Sequence, residues 1–252
     1  MENKLELQYK KILQDCLKYG VLTSNRTNVD TLKTFSKKIE LNLTEGFPIV
    51  TGKKIFFKKA LAEFNWIFEG KTDIKFLNDN KIFWWDKFAE KGIVPKSYGH
   101  QLRNFGGSFD QIEYVKNELL TNSRRGVISF WNPLDLKDQK LPCCYTTAAF
   151  VKENDKLNMS LMFRSSDLFL GLPYDIIFAA LLLNKMADLT NLIPFKLSLE
   201  LCDAHLYTSH IKGVKQYLKQ QTFKLPNIIY KKNGICILEN YNHQNYIKAE
   251  MH

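Results

Sequence analysis

The stretch 141–176 holds the residues best suited to do chemistry. It carries adjacent thiols, Cys143 and Cys144, then Arg164, Ser165 and Asp167, then the run Gly171-Leu172-Pro173-Tyr174-Asp175. An ionised thiol is a strong nucleophile, and a nearby guanidinium favours the thiolate. Two carboxylates close by in sequence can accept hydrogen bonds from a substrate or move protons. Arg26, Arg124 and Arg125 each stand in a polar, turn-like context suited to gripping an oxyanion with two donors. Glu63 lies in the apolar run LAEFNWIF, where it is either an outward helix carboxylate or a partly buried acid/base. The cluster around Trp84 and Trp85 is core or the wall of a pocket for a flat heterocycle. His205, Tyr207 and His210 stand at an element junction, where ordinary polar packing also accounts for them.

The surrounding pattern supplies elements to position these groups. Apolar spacing of three and four predicts a helix over residues 3–19, stopped by Gly20. Segment 23–31 reads as a turn around Arg26, and Ile39, Leu41 and Leu43 alternate as a strand. Helices are expected from Phe56 to Phe68, from Asp73 to Asn80 and from Phe109 to Leu120. Between the last two, VPKSYGHQLRNFGG reads as a loop carrying Tyr98. GVISFW is a strand with Arg124 and Arg125 at its mouth, and an alternating strand runs into Arg164. Asp175 to Leu189 is the most apolar helix. A strand over 195–202, a helix ending at Leu218 and two strands, PNIIY and ICILENY, complete the chain. No linker or repeat divides it, so residues 1–252 are expected to form a single α+β domain on a large mixed or antiparallel sheet with packed helices.

Composition narrows the setting. With 252 residues and 45% apolar content the chain can bury a sizeable core. Five cysteines without a ladder of spacings argue against a secreted disulfide scaffold. No signal peptide is read at the start, and the longest apolar run, Ile176 to Leu183, is too short to span a bilayer. A cytoplasmic location is expected. The net charge of +10 admits nucleic acid or small anions, but the lysines are dispersed and the arginines sit in turns rather than a stripe. Neither nucleic acid nor membrane is therefore expected as a partner.

Read in order, SNRT, EGFPIVTGKK, LAEFNWIF, WWDKFAEKG, SYGHQLR, NSRRGVISFWNP, LPCCY, FRSSDLFLGLPYDI, DAHLYTSH and YIKAEMH resemble the thymidylate synthase family, which includes the deoxycytidylate hydroxymethylases. The resemblance runs nearly end to end. It implies a homodimer whose site is completed across the interface, a pyrimidine nucleoside monophosphate substrate, 5,10-methylenetetrahydrofolate as one-carbon donor and no metal. By position it implies Cys144 as the nucleophile. Arg26, Arg164 and Ser165 fall where the phosphate is bound, with Arg124 and Arg125 lent by the second subunit. His205 and Tyr207 match the ribose-binding pair. Glu63, Tyr98 and Asp167 match the proton-handling and folate-orienting residues. Trp85, Leu141, Leu170, Gly171 and Tyr174 match the folate wall, and Lys53 the contact to the folate glutamate tail.

The chain also departs from the synthase pattern. Tyr145 stands in place of His, Phe163 in place of Gln, Cys143 in place of Pro, and Phe88 in place of a second Trp. The tail ends Glu250-Met251-His252 instead of in small apolar residues. Asp175 occupies the position of the base-reading Asn. Cytosine offers a donor at N4, which a carboxylate accepts, whereas uracil offers an acceptor at O4, which a carboxylate opposes. The expected reaction is therefore hydroxymethylation of dCMP. The alternatives are dUMP-to-dTMP methylation, dCMP methylation, a nucleic-acid-binding protein, and an inactive relative that only binds.

Overall fold

The computed structural model describes residues 3–230 and 236–252. The element order is α1 (Lys4–Tyr19), β1 (Val21–Thr23), β2 (Thr31–Asn42), α2 (Phe57–Phe68), α3 (Lys75–Asp79), α4 (Tyr98–Arg103), α5 (Gln111–Leu120), β3 (Val127–Ser129), β4 (Tyr145–Glu153), β5 (Lys156–Asp167), α6 (Leu172–Thr190), β6 (Ile193–Tyr207), α7 (Ile211–Leu218), β7 (Asn227–Tyr230) and β8 (Cys236–Glu239). The fold is α+β, as expected. A six-stranded sheet has the order β1-β2-β6-β5-β4-β3, and β7 pairs with β8 in a separate hairpin. The pairs β1–β2, β2–β6, β3–β4 and β7–β8 are antiparallel. The chain folds as two compact units whose segments alternate along the sequence. One comprises Met1–Ile55, Phe163–Ala180 and Phe195–His252, and the other Phe56–Met162 and Leu181–Pro194.

In the first unit, α1 begins where the Asn3 side chain accepts the Glu6 N–H and ends at Gly20. Its stripe of Leu5, Tyr9, Ile12, Leu13 and Cys16 is buried. From this stripe the Tyr9 hydroxyl donates to the Leu168 carbonyl at 2.7 Å, tying the helix to the turn that follows β5. The strand expected over Ile39, Leu41 and Leu43 is corrected: it starts at Thr31 and stops at Asn42, whose side chain accepts the Thr44 N–H and opens a 3-10 turn at Leu43. The strand expected over 195–202 extends to Tyr207, so His205 and Tyr207 are strand residues. Burial along β6 alternates on Leu197, Leu199 and Leu201, then shifts to Ala204 and Leu206. This slip lies opposite Ser36 of β2, which has a left-handed backbone at φ 52°. Asp203, His205 and Tyr207 thereby share one face.

In the second unit, α2 buries Phe57, Ala60, Ala62, Phe64, Trp66 and Ile67. The helix expected from Asp73 to Asn80 shortens to Lys75–Asp79, because Asp73 is drawn into a bridge with Ile93. The loop expected around Tyr98 is also corrected, since Tyr98 opens α4. Helix α5 starts at Gln111, where the Asp110 side chain accepts the N–H groups of Ile112 and Glu113. Helix α6, whose residues fall in both units, starts at Leu172 instead of Asp175 and takes Pro173 in its first turn, where a missing N–H costs no helical bond. Ile235, the first residue of the last expected strand, lies outside the described residues.

Candidate active site

In the second unit, Cys144 immediately precedes β4 and is half-buried, while Cys143 is fully buried. None of the five cysteines is in a disulfide. The Cys144 backbone N–H donates to the Tyr98 hydroxyl at 2.7 Å. Tyr98 is itself buried and stands at the head of α4, with its ring 4.8 Å from Tyr145 and 6.0 Å from Trp85, centroid to centroid. This bond ties the Cys144 backbone to the head of α4.

Glu63 projects from α2 toward the aromatic cluster. The Trp84 indole N–H donates to Glu63 Oε1 at 2.8 Å, and the Trp85 indole donates to the same oxygen. Burial raises the Glu63 carboxyl above the ordinary glutamate range, and the two indole donors hold that rise in check. This sets a carboxyl with raised proton affinity beside a buried aromatic wall, a setting suited to an acid/base group. Trp85 is buried, with its ring 5.3 Å from Trp66 and 6.0 Å from Phe88, and Leu141 is half-buried. Arg124 and Arg125 are exposed ahead of β3, and neither forms an ion pair with a carboxylate among the described residues.

The first unit holds the remaining candidates. Arg26 is exposed on the turn between β1 and β2, which Asn25 closes by donating to the Val29 carbonyl and accepting the Thr27 N–H and hydroxyl. Arg164, Ser165 and Asp167 occupy the end of β5, where the burial alternation slips after Phe163. Asp167 Oδ1 accepts the N–H groups of Phe169 and Leu170 and lies 3.7 Å from His210 Nδ1. Burial opposes its ionisation, but His210 and the Phe169 N–H prevail and hold the carboxyl below the ordinary aspartate range. Asp167 Oδ2 takes no hydrogen bond among the described residues, so this oxygen can accept from the donors of a ligand.

Gly171 follows, and the absence of a side chain there matters. A Cβ on it would lie 3.3 Å from the Asp167 carbonyl and 3.7 Å from Asp175 Oδ2. Leu170, Tyr174 and Asp175 are half-buried in the same turn and the start of α6, and the Asp175 N–H donates to the Gly171 carbonyl. Asp175 thus stands in the first turn of a helix, where the dipole favours a carboxylate. His205 Nδ1 lies 3.0 Å from Asp203 Oδ1, and Lys33 Nζ is 2.9 Å from Asp203 Oδ2. An ionised Asp203 can only accept, so the contact favours a proton on His205 Nδ1. The His205 and Tyr207 rings meet edge to face at 5.4 Å.

Lys53, expected at the folate glutamate tail, lies in the first unit ahead of α2. Its amine is buried, donates to the Phe169 carbonyl and lies 3.8 Å from the Phe169 ring centroid. Burial lowers it to about 8. Sequence reasoning did not assign roles to Trp84, Asp203 or Glu6. The alternation Asp-x-His within a strand could have shown Asp203, since residues two apart share a face. Nothing local could have shown Glu6, a buried carboxylate of α1 that accepts from the Thr51 and Gly52 N–H groups and the Thr51 and Tyr217 hydroxyls. In comparison with known protein families, residues 7–252 match the model described as thymidylate synthase.

Proposed function

The chain belongs to the thymidylate synthase family, and we propose that it hydroxymethylates dCMP at C5. Folate-dependent one-carbon transfer to C5 of a pyrimidine nucleotide is the chemistry of the family, with methylenetetrahydrofolate as the donor. The choice of base and product is our own reading, and it rests on Asp175.

A pyrimidine C5 becomes nucleophilic only after something adds at C6, and the Cys144 thiolate is the group proposed to add there. Arg26, Arg164 and Ser165 hold the phosphate, and His205 and Tyr207 the ribose hydroxyl. Asp175 accepts from cytosine N4; against uracil O4 the same carboxylate would face an acceptor, a mismatch costing about 1–3 kcal/mol. When bound, methylenetetrahydrofolate supplies a one-carbon unit at the aldehyde oxidation level. Asp167 receives the pterin donors, and Trp85, Leu141, Leu170, Gly171 and Tyr174 form the wall, with Lys53 toward the tail. Glu63, whose raised carboxyl can hold a proton nearer neutrality, delivers and removes protons and activates the water that adds to the exocyclic carbon. Elimination of Cys144 then releases 5-hydroxymethyl-dCMP.

A homodimer is proposed as well. Arg124 and Arg125 are exposed without carboxylate partners in the described residues, and the exposed sheet residues include Phe35, at 81%, and Val151. Cysteines outside any disulfide suit a reducing compartment such as the cytoplasm.

A second reading, reductive methylation to a 5-methyl product, is favoured by the burial of Trp85, since a dry wall protects a hydride transfer from water. Product mass spectrometry with dCMP, dUMP and methylenetetrahydrofolate separates the two. The proposal expects a hydroxymethyl product from dCMP with no rise in dihydrofolate absorbance. A methyl product accompanied by that rise would overturn it.

A further inference from the structure

The C-terminal tail is docked within the first unit, and one histidine holds it. His210 has a side chain 1% exposed, and its Nε2 lies 2.7 Å from the Glu250 carbonyl oxygen. A carbonyl only accepts, so Nε2 carries a proton. On the other side, Nδ1 faces Asp167 Oδ1 at 3.7 Å and has no hydrogen-bond partner among the described residues. At that distance the contact is an ionic attraction rather than a hydrogen bond. A bare Nδ1 would set a buried lone pair against a carboxylate, which is repulsive, whereas a protonated one completes an ion pair. Both neighbours of the ring are therefore acceptors, and only the doubly protonated form satisfies both.

The remaining groups around the ring are consistent with a latch. From the end of the tail, His252 Nε2 lies 2.7 Å from the Ser209 hydroxyl, and its ring is 4.8 Å from Tyr207 and 5.6 Å from His210. From β6, Tyr207 packs against His210 at 5.5 Å, and His205 lies near enough to act on Asp167. From the segment before α2, the Lys53 amine opposes a charge on His210. Burial also opposes it, yet Asp167 and the Glu250 carbonyl outweigh both and raise the His210 titration above the ordinary histidine range.

We propose that His210 is a positioning residue which, with protons on both ring nitrogens, couples the docked C-terminal tail to the Asp167 carboxylate, so that the tail undocks when the ring loses its charge and its one remaining proton is drawn to Nδ1 by the carboxylate, away from Glu250. The sign follows from linkage. A group whose titration is raised in the docked state stabilises that state at low pH, and the stabilisation is lost as pH rises through the raised value. The consequence for folate rests on the role proposed above for Asp167; the docking does not, and can be measured without substrate.

Hydrogen exchange of the tail amides, in the full chain without ligands and corrected for intrinsic rates, reads the docking directly. Protection is expected to fall by roughly tenfold or more between about pH 6 and about pH 9. His210→Gln keeps an N–H donor for Glu250 but carries no charge, and its tail protection should be independent of pH over the same range. Constant protection in the wild type, or an unchanged pH dependence in the variant, would overturn the proposal. Should the variant not fold, the ¹⁵N shifts of His210 in the wild type decide. Two protonated nitrogens at about pH 7 support the coupling, and a bare Nδ1 contradicts it. A pH-dependent tail in a protein that does not turn over dCMP would refute the proposed function and leave this coupling intact.

Discussion

The backbone N–H of Cys144 donates to the Tyr98 hydroxyl at 2.7 Å, joining the first turn of α4 to the residue ahead of β4. A hydrogen bond of this kind contributes about 1 kcal/mol. Tyr98→Phe keeps the ring and its contacts with Trp85 and Tyr145 but loses the acceptor. The expected result is a fall in kcat of about tenfold, with the nucleotide KM changed little. Steady-state kinetics with saturating folate checks this, and an unaltered kcat would remove Tyr98 from the positioning of the nucleophile.

Glu63 receives both indole donors while its carboxyl remains raised by burial. If it handles the protons, kcat has a limb set by a carboxyl titrating above the ordinary value of about 4.3. Glu63→Gln should cost about 10²–10⁴ in kcat and abolish that limb. Trp84→Phe removes one donor that favours the ionised form, so the limb should move to higher pH. Movement to lower pH would contradict this description of the carboxylate.

Glu6 is 2% exposed and gathers four donors, from Thr51, Gly52 and Tyr217. Its replacement by Ala strands buried donors, each costing about 1–3 kcal/mol. Equilibrium unfolding of Glu6→Ala should show a loss of at least about 3 kcal/mol, whereas Lys11→Ala, at an exposed pair with Asp15, should leave the unfolding midpoint nearly unchanged. Equal effects would mean that the Glu6 cluster holds nothing in place.

The candidate site residues could be named from the sequence because they fall within short ordered motifs. Helix α1 was legible through its apolar spacing and its stop at Gly20. The first half of β2 was not, since Lys33, Thr34, Ser36 and Lys37 show no apolar alternation and the strand is specified by its partner β6. Helix α4 was hidden because its six residues, Tyr98–Arg103, give no periodic window. The phase slips in β5 and β6 could not be read, because a period of two predicts one unbroken face. The links that define the site are also far apart in sequence: Glu63 to Trp84, Tyr98 to Cys144 and His210 to Glu250. Nothing local announces such pairs.

The central claim is that Asp175, in the first turn of α6, reads the base. Release of tritium from C5 of dCMP and of dUMP, measured side by side in the wild type and in Asp175→Asn, tests it most directly. The wild type should act faster on dCMP, and the variant should shift the ratio toward dUMP by roughly tenfold or more. Faster release from dUMP in the wild type, or the same ratio in both proteins, would contradict the claim.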